Sequence, residues 1–450
     1  MKSSLLIAPG KEVEVKRASL PSVLDSVVLY AVVGLLLFAP LAFGAVEPWS
    51  TFVLEIGAAS LFALWVIRQT VSDVVSFTGN PLFLPMLVFA ALIILQLATG
   101  VTAYRYRTFS SGLMYCAYGL LCFLVVQCLR RTKQLKTLVF VFSAYGFVLA
   151  IFALVQSITS NGKLYWLRIP RSGGWIYGPY VNHNHYAGLM EMLVPIPLVC
   201  FLMHRTQGWH KTMAALAAGV MASTIFLSGS RGGMAAFVAE MTVLGAVLLK
   251  QRSARRSSVG LSFFLLIIIG LVIWLGGTEL TKRVASIDVE ARKELSGGMR
   301  MAIDRDGLKM YAHKPVLGWG LGVFPDVYPR YRSFYTNFFV NEAHDDYLQL
   351  LVEMGALGFA TMIWFIVLLY RSAIKKLGNW AEDIHGSVAL AAMLGCTGIL
   401  VHSFVDFNLQ VPANAALFYV LCVVAAGEAR FRQSIRKPGR RQTEAPQVSA

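Results

Sequence analysis

An arginine surrounded by small residues lies in the segment 228–233, whose sequence is SGSRGG. The small residues leave backbone N–H groups open, and Arg231 stands between two apolar runs. Such a segment can bind a phosphate through the guanidinium group and the open N–H groups. The same residues also suit a tight turn between two helices, with Arg231 at the level of the lipid head groups. The sequence supports both interpretations equally.

A second group of charges lies within residues 298–311, where apolar residues recur at helical spacing. Arg300 and Arg305 could bind a diphosphate from one face of this helix. Asp304 and Asp306 form a D-x-D pattern, but on a helix the two side chains point about 200° apart, so a shared metal ion is not expected. The alternative is a solvated face of salt bridges, because Arg300 and Asp304 are four residues apart, and the sequence alone favours it.

A histidine stands directly before a later apolar run. His344 is followed by Asp345 and Asp346, and the polar residues continue into the run without a break. A helix N-terminus disfavours the imidazolium form, which leaves a neutral ring that can accept a proton. One of the two aspartates could orient that ring. His344 is therefore either a general base at the membrane face or part of a helix cap, while Gly355 and Gly358 would permit close approach of another helix.

A histidine-rich segment, Asn182-His183-Asn184-His185, precedes another apolar run. The H-x-H pattern could hold a metal ion on an extended segment, yet no third ligand follows at a fixed spacing, so no metal site is predicted. Five acidic residues lie within or beside apolar runs, and each is expected to have a polar partner that the sequence does not identify. They are Glu55, Glu191, Glu240, Glu353 and Asp406.

The composition defines the environment of these groups. Of the 450 residues, 56% are hydrophobic and only 14% are charged, whereas an ordinary soluble domain has about 25% charged residues. A soluble fold of this length could not cover its surface with so few charges, so an all-α polytopic membrane protein is predicted. The net charge of +16 comes from Lys and Arg in short loops, which indicates membrane topology and contact with membrane lipids rather than nucleic-acid binding.

Twelve apolar segments are long enough to cross about 30 Å of hydrocarbon. They cover residues 26–45, 51–68, 81–99, 112–129, 136–157, 186–203, 211–227, 232–249, 259–276, 346–370, 385–404 and 412–428. An even number of spans places both termini on one side. The excess of Lys and Arg in the short loops of that side predicts that it is the cytoplasmic side.

This topology divides the chain into an N-terminal segment, nine spans, one long outer loop, three further spans and a basic tail. The corresponding ranges are 1–25, 26–276, 277–345, 346–428 and 429–450. The outer loop is the only outer segment long enough to fold as a small module, and short helices are expected in it. The four groups of polar residues described above all fall on this outer side, so a functional site is predicted there.

Three motifs together resemble the O-antigen ligase / Wzy-type polymerase superfamily of bacterial envelope glycosyltransferases. They are Ser-Arg-Gly at 230–232, Arg300 followed by PVLGWGLG at 315–322, and His344 in a pattern similar to H-[N/S/Q]-x9-G-x-x-G. The resemblance covers about residues 180–410, and the layout of twelve spans with one large late outer loop agrees with it. Asp345 departs from the family pattern, which has an amide or hydroxyl residue at this position.

The resemblance implies an enzyme of the bacterial inner membrane whose active site faces the periplasm. It would transfer a glycan from undecaprenyl pyrophosphate to a sugar hydroxyl by an inverting displacement that needs no metal and no cofactor. Arg231 and Arg300 would neutralise the pyrophosphate leaving group, and His344 would accept the proton of the acceptor hydroxyl. Further substrate-binding residues are expected among Arg105, Arg107, Asn184, His185, Arg305, Asp345, Asp346 and Tyr347.

Alternative functions differ in acceptor or in class. A ligase would use lipid A-core as acceptor, and a polymerase would use another lipid-linked glycan. The His344 pattern favours the ligase, which we place first, while the segment 182–185 is similar to members from exopolysaccharide clusters. A 12-span transporter or lipid flippase is the alternative from another class, although no two related halves are visible. A metal-dependent glycosyltransferase would use Asp304 with Asp306 or Asp345 with Asp346.

Overall fold

The architecture is helical. The computed structural model describes residues 20–71, 77–169, 175–250, 258–270, 297–336 and 339–427. Within these ranges the only extended pairings are two isolated bridges, one between Leu164 and Arg168 and one between Tyr177 and Tyr180. The predicted all-α class is confirmed for this part of the chain. The predicted tail 429–450 and most of the predicted segment 1–25 lie outside the described residues.

We label the helices in chain order. They are α1 (Leu20–Leu41), α2 (Pro48–Thr70), α3 (Phe83–Thr99), α4 (Arg105–Cys128), α5 (Thr132–Thr159), α6 (His183–Leu193), α7 (Pro195–Leu202), α8 (Gly208–Leu227), α9 (Arg231–Lys250), α10 (Ser258–Gly270), α11 (Gly297–His313), α12 (Phe324–Val327), α13 (Asp346–Ile374), α14 (Ile384–His402) and α15 (Pro412–Ala426).

Each of the twelve predicted apolar segments overlaps one of these helices, and the sixth overlaps two. Among the described residues, nine helical segments are long and apolar enough to cross a membrane, while α3, α10 and α15 are shorter apolar helices. The sixth predicted span is divided into α6 and α7, where Pro195 begins α7 and removes one backbone donor. The protein is therefore a multi-pass membrane protein, while the exact number of twelve spans and their orientation stay predictions.

The helices differ widely in how much of their surface the protein itself covers. In the combined helix His183–Leu202, 94% of the apolar window is buried, and in α14 72% is buried. In α2 the buried share is only 22%. The α6–α7 pair and α14 therefore form the centre of the bundle, and α2 has most of its surface free to face lipid. Polar side chains on the central helices can contact one another away from lipid.

The second half of the predicted outer loop forms a small module at one end of the bundle. Residues 297–345, which we call the loop module, contain α11, α12 and a 3-10 turn at Tyr328–Arg330. The rest of the predicted loop, residues 277–296, lies outside the described residues. A separate apolar cluster holds the module together and joins it to α13; its members include Ile303, Met310, Phe324, Tyr328 and Val352.

A break in α13 anchors the loop module. Gly355 has φ +65° and ψ −169°, a conformation that essentially only glycine adopts. At this break the N–H of Ala356 donates to the carbonyl of Pro315 at 2.8 Å. A Cβ on Gly355 would overlap the carbonyl of Val316, and one on Gly318 would overlap the carbonyl of Glu353. The expectation that Gly355 permits close approach of another helix is therefore wrong, because it receives a loop backbone instead.

Side chains of two membrane helices complete this anchor. The carboxylate of Glu353 accepts hydrogen bonds from the N–H groups of Gly322 at 2.8 Å and Phe324 at 3.1 Å. The amide of Gln96, on α3, donates to the carbonyl groups of Leu317 at 2.6 Å and Glu353 at 2.8 Å. The predicted polar partners of Glu353 are thus backbone donors of the loop module.

We predict that Gly355→Ala lowers the thermal midpoint of the protein in detergent, because the new side chain meets backbone atoms and φ stays positive. The strain alone corresponds to on the order of 1–3 kcal/mol. Gly119→Ala is the matched control, because Gly119 lies inside α4 with open space around its Cβ position. A thermal midpoint of Gly355→Ala equal to that of the wild type would contradict this view of the anchor.

Candidate active site

The residues 403–411 join α14 to α15, and we call them the connecting segment. Asp346, the first residue of α13, holds this segment: its N–H donates to the carbonyl of Ser403 at 2.9 Å. Its carboxylate accepts from the hydroxyl of Ser403 at 2.8 Å and from the N–H of Leu409 at 3.0 Å, and Gln410 adds a contact at 3.3 Å. Because Asp346 is buried and its carboxylate is already bound by protein donors, the geometry supports a structural role for it.

His344 stands just outside α13, in an unusual backbone conformation. Its φ of +59° lies in the left-handed region that non-glycine residues seldom adopt. Asp345 is the N-cap of the helix and accepts from the N–H groups of Tyr347 at 2.8 Å and Leu348 at 3.0 Å. The cap and the positive φ together turn His344 out of the helix, and its ring packs edge-on against Phe407 with 4.8 Å between centroids.

The carboxylate that faces His344 is Asp406. Its Oδ1 lies 3.5 Å from Nδ1 of His344, and its side chain is only 1% exposed. The expectation that Asp345 or Asp346 orients the ring is wrong, because the carboxylate that faces the ring is that of Asp406. Asp345 caps the helix through its Oδ1, and Asp346 binds the connecting segment. Burial by itself raises the pKa of Asp406, but the imidazoles of His344, His185 and His402 outweigh it and hold the pKa well below its ordinary value. Asp406 is thus an anion beside the ring.

Arg300 reaches the same connecting segment from the loop module. It lies on α11, and its Nη1 donates to the carbonyl of Val405 at 2.8 Å. Asp304, one turn further along α11, is half-buried, and burial raises its pKa while the nearby His344 and Arg300 oppose that effect. The alternative that the sequence favoured, a solvated face of salt bridges, does not describe Arg300, because its guanidinium group contacts a residue 105 positions away.

The D-x-D pair is separated as the helical spacing predicts. Asp306 is fully buried and accepts from both the N–H and the hydroxyl of Ser333 at 2.8 Å, with Lys309 at 3.2 Å. Asp304 stays on the side of Arg300. In the described part of the chain, no group of three His, Cys, Asp or Glu side chains could hold a metal ion.

Arg231 is the first residue of α9 and is exposed. The hydroxyl of Ser230 accepts from the N–H of Gly233 at 3.1 Å and so caps the helix. A Cβ on Gly232 would lie 2.5 Å from the ring of His402 and 2.9 Å from Val405, and one on Gly233 would lie 2.8 Å from Ala187. The two glycines therefore let the start of α9 lie directly against α14, α6 and the connecting segment.

Three elements that are far apart in sequence thus meet at one short segment. Arg300 contacts the backbone of Val405, His344 faces Asp406, and Gly232, the residue after Arg231, lies against Val405. Arg300 and His344 therefore contact this segment, and Arg231 begins the helix that packs against it. This arrangement can place positive charge and a proton acceptor around one bound group.

The other predicted site residues divide into two sets. The rings of His185 and Phe407 pack edge-to-face with 4.7 Å between centroids, and the ring of Tyr347 packs against Phe404 at 4.3 Å. These two residues lie beside the connecting segment. The half-buried Asn184 lies in the first turn of α6, where its N–H donates to the N-cap Asn182. The second set consists of three exposed arginines, and these are Arg105, Arg107 and Arg305. Nε of Arg107 lies 3.5 Å from Oδ2 of Asp326 in the loop module.

A buried contact between a carboxyl group and an imidazole beneath the site is a feature that spacing did not predict. Nδ1 of His402 lies 2.8 Å from Oε1 of Glu191, and both side chains are at most 1% exposed. His402 also forms the surface against which Gly232 packs. The two residues are 211 positions apart. The only sequence signal was the expectation that a membrane-embedded Glu191 must have a polar partner.

We predict that His402→Ala and Glu191→Ala each lower the thermal midpoint, because either change leaves a buried polar group without its hydrogen-bond partner, at a cost of about 1–3 kcal/mol. The double variant should lose less than the sum of the two single losses. Thermal unfolding of all four proteins in one detergent measures this coupling. Strictly additive losses would show that the two side chains do not stabilise each other.

Comparison with known proteins identifies a family for the central part of the chain. Residues 216–363 match the model of a protein family described as O-antigen ligase. The matched range includes Arg231, Arg300 and His344, while the connecting segment and α6 lie outside it. No curated protein matches the chain. The resemblance inferred from the three motifs is confirmed over the matched range.

Proposed function

We propose that this membrane protein, which over residues 216–363 belongs to the O-antigen ligase / Wzy superfamily, transfers a glycan from undecaprenyl pyrophosphate to the hydroxyl of an acceptor sugar. The observation that carries the proposal is that Arg300 and His344 contact the connecting segment while α9, which begins with Arg231, packs against it. Since a lipid-linked donor needs a site at the membrane face, the position at one end of the helices also supports it. In the predicted orientation this end faces the periplasm.

The two arginines act on the leaving group. Transfer breaks the bond between the anomeric carbon and the pyrophosphate oxygen, and negative charge builds on the departing pyrophosphate. Guanidinium groups bind phosphate oxygens through paired N–H donors, and they supply positive charge that grows in importance as the bond breaks. Arg231 is exposed at the start of α9, where the open N–H groups of a helix N-terminus also favour an anion.

His344 acts on the acceptor. With Nδ1 directed at the Asp406 carboxylate, the ring can keep its proton on that nitrogen and accept the proton of the acceptor hydroxyl at Nε2. The hydroxyl oxygen then forms the new bond to the anomeric carbon as the old bond breaks on the opposite face, which inverts the configuration. The Asp406 anion stabilises the imidazolium that results and keeps the ring in one orientation.

The proposal has two forms, which differ in the acceptor. A ligase would use lipid A-core as acceptor, and a polymerase would use a second lipid-linked glycan. We place the ligase first because of the His344 pattern. One structural observation supports the polymerase: His185, from the segment similar to exopolysaccharide members, packs on the same Phe407 ring as His344. Offering both acceptors to the same reconstituted protein separates the two functions.

We predict that Arg231→Ala, Arg300→Ala and His344→Ala each reduce transfer by at least about 100-fold, because each removes a charge or a proton acceptor needed in the transition state. The assay is the formation of product from lipid-linked glycan in proteoliposomes. Arg330→Ala is the control, because Arg330 is an exposed arginine of the loop module away from the connecting segment. Arg300→Lys should restore part of the activity, since a point charge does not replace the bidentate fork.

Three results would contradict the proposal. Wild-type turnover by Arg300→Ala or His344→Ala would remove that residue from the site. Movement of labelled lipid across the membrane that survives His344→Ala, without any glycan transfer by the wild type, would favour the transporter or flippase instead. Full activity in excess EDTA is expected, and its loss would favour the metal-dependent alternative.

We predict that Asp406→Asn lowers transfer by about 100-fold or more while the protein still folds, because an amide does not stabilise the imidazolium and can select the wrong ring tautomer. The loss should fall on kcat more than on the KM for the acceptor. Steady-state kinetics over a range of acceptor concentrations and pH distinguish this from a structural defect. An unchanged kcat with a raised KM would mean that Asp406 binds the acceptor instead.

A further inference from the structure

Gln349, in the first turn of α13, is a buried polar residue that takes no direct part in the proposed transfer. It is only 1% exposed, and its Oε1 accepts from the N–H of Ala343 at 2.9 Å. Its Nε2 donates to the carboxyl group of Glu342 and, at 3.4 Å, to that of Glu353. The side chain therefore ties the chain before α13 to the helix itself.

The orientation of this amide follows from its partners. A backbone N–H can only donate, so the amide atom that faces Ala343 must be the oxygen. The amide nitrogen then faces the two carboxyl groups, as observed. Among side chains of similar length, Glu has no amide donor and Met has neither group. Neither of them reproduces the contacts of Gln349.

The same residue contacts both neighbours of His344. Its side chain holds Ala343, and its backbone N–H donates to the carbonyl of Asp345 at 3.0 Å. Asp345 is also the N-cap of α13. His344 consequently lies between two residues whose backbone groups are bound to Gln349.

The backbone conformation of His344 needs this support. Its φ of +59° is strained for a residue with a side chain, and such a conformation persists only where its surroundings hold it. The cap at Asp345 fixes the chain after His344. Ala343 offers only a methyl group to the apolar cluster of the loop module, so its hydrogen bond to Gln349 is the directional contact that fixes the chain before His344.

We propose that Gln349 is a positioning residue for His344. By holding the N–H of Ala343, its amide oxygen keeps His344 in the left-handed conformation and its ring beside Asp406. The effect on catalysis rests on the proposed function, because it acts only through the ring of His344. The position of the ring does not rest on that function, and it can be measured without any glycan transfer.

Labelling with diethyl pyrocarbonate measures the position of the ring directly. The reagent acylates accessible imidazole nitrogens, and mass spectrometry of the peptide gives the rate at His344, whose side chain is 16% exposed in the wild type. We expect Gln349→Met to raise this rate by about 3-fold, because a ring released by local opening becomes about half exposed. An unchanged rate in Gln349→Met would overturn the inference.

Gln127→Met is the matched control for both variants and assays. Gln127 is also a buried glutamine whose amide binds a backbone N–H and a carbonyl, both of Thr78. It lies at the end of α4 away from the loop module. The labelling rate at His344 should stay at the wild-type value in this variant. An equal increase in Gln127→Met would overturn the inference, since it would show a general loosening of the protein.

Transfer kinetics test the consequence for catalysis. Gln349→Met should lower kcat by about 10-fold with a smaller change in the KM for the acceptor, because a small displacement of a catalytic group is costly. In an Asp406→Asn background the same change should cost clearly less, since the carboxylate beside the ring is already lost. Equal losses in both backgrounds would contradict the positioning role. A wild type without transfer would contradict the proposed function, and the labelling rates would still decide the position of the ring.

A measurement on the wild type covers the case in which Gln349→Met does not fold. Hydrogen exchange resolved to single residues should show the N–H of Ala343 protected by about 100-fold or more, because it is buried and bonded to Gln349. Exchange of this N–H at the rate of an unstructured peptide would overturn the inference.

Discussion

The buried carboxylate of Asp346 is the contact on which the candidate site depends. It ties the first turn of α13 to the connecting segment through Ser403 and Leu409, and every other part of the site is arranged around that attachment. His344 is two residues before Asp346, so its distance from Asp406 is set by the same attachment. Arg300 contacts the segment through Val405, and α9 lies against it beside Arg231.

A second constraint is that neighbouring segments approach the backbone closely at glycine positions. The attachment of the loop module to α13 requires that Gly318 and Gly355 have no side chains. Gly232 meets the same requirement for α9 against His402. The glycines of the family-like motifs thus explain how the elements that carry the three distant residues pack together, which the chemistry of those residues alone does not explain.

The location of most helices could be predicted from the sequence, because a run of apolar residues as long as the bilayer is thick is a local property. The candidate residues were also visible, since Arg231 and His344 are polar groups at the ends of apolar runs and Arg300 lies on a predicted helix of the outer loop. Their partners were not visible, because contacts such as Glu191 with His402 or Arg300 with Val405 join residues 211 and 105 positions apart. The role of Asp406 was missed for this reason, although its place near the membrane had marked it as a residue in need of a partner.

The kink at Gly355 shows a different limit. A glycine in an apolar run suggests close packing, but its sequence neighbours do not indicate whether a helix or a loop occupies the space. Only the backbone angles and the hydrogen bond from Ala356 to Pro315 identify a loop. The division of one predicted span into α6 and α7 at Pro195 is easier to predict from the sequence, because the missing N–H of a proline affects its own helix.

The central claim is that Arg231, Arg300 and His344 surround one pyrophosphate at the membrane face. An experimental structure of the protein with undecaprenyl pyrophosphate bound tests it most directly. We expect phosphate oxygens at about 3 Å from both guanidinium groups, with the ring of His344 facing the space next to the first phosphate. A pyrophosphate bound away from the connecting segment, or held by neither arginine, would contradict it.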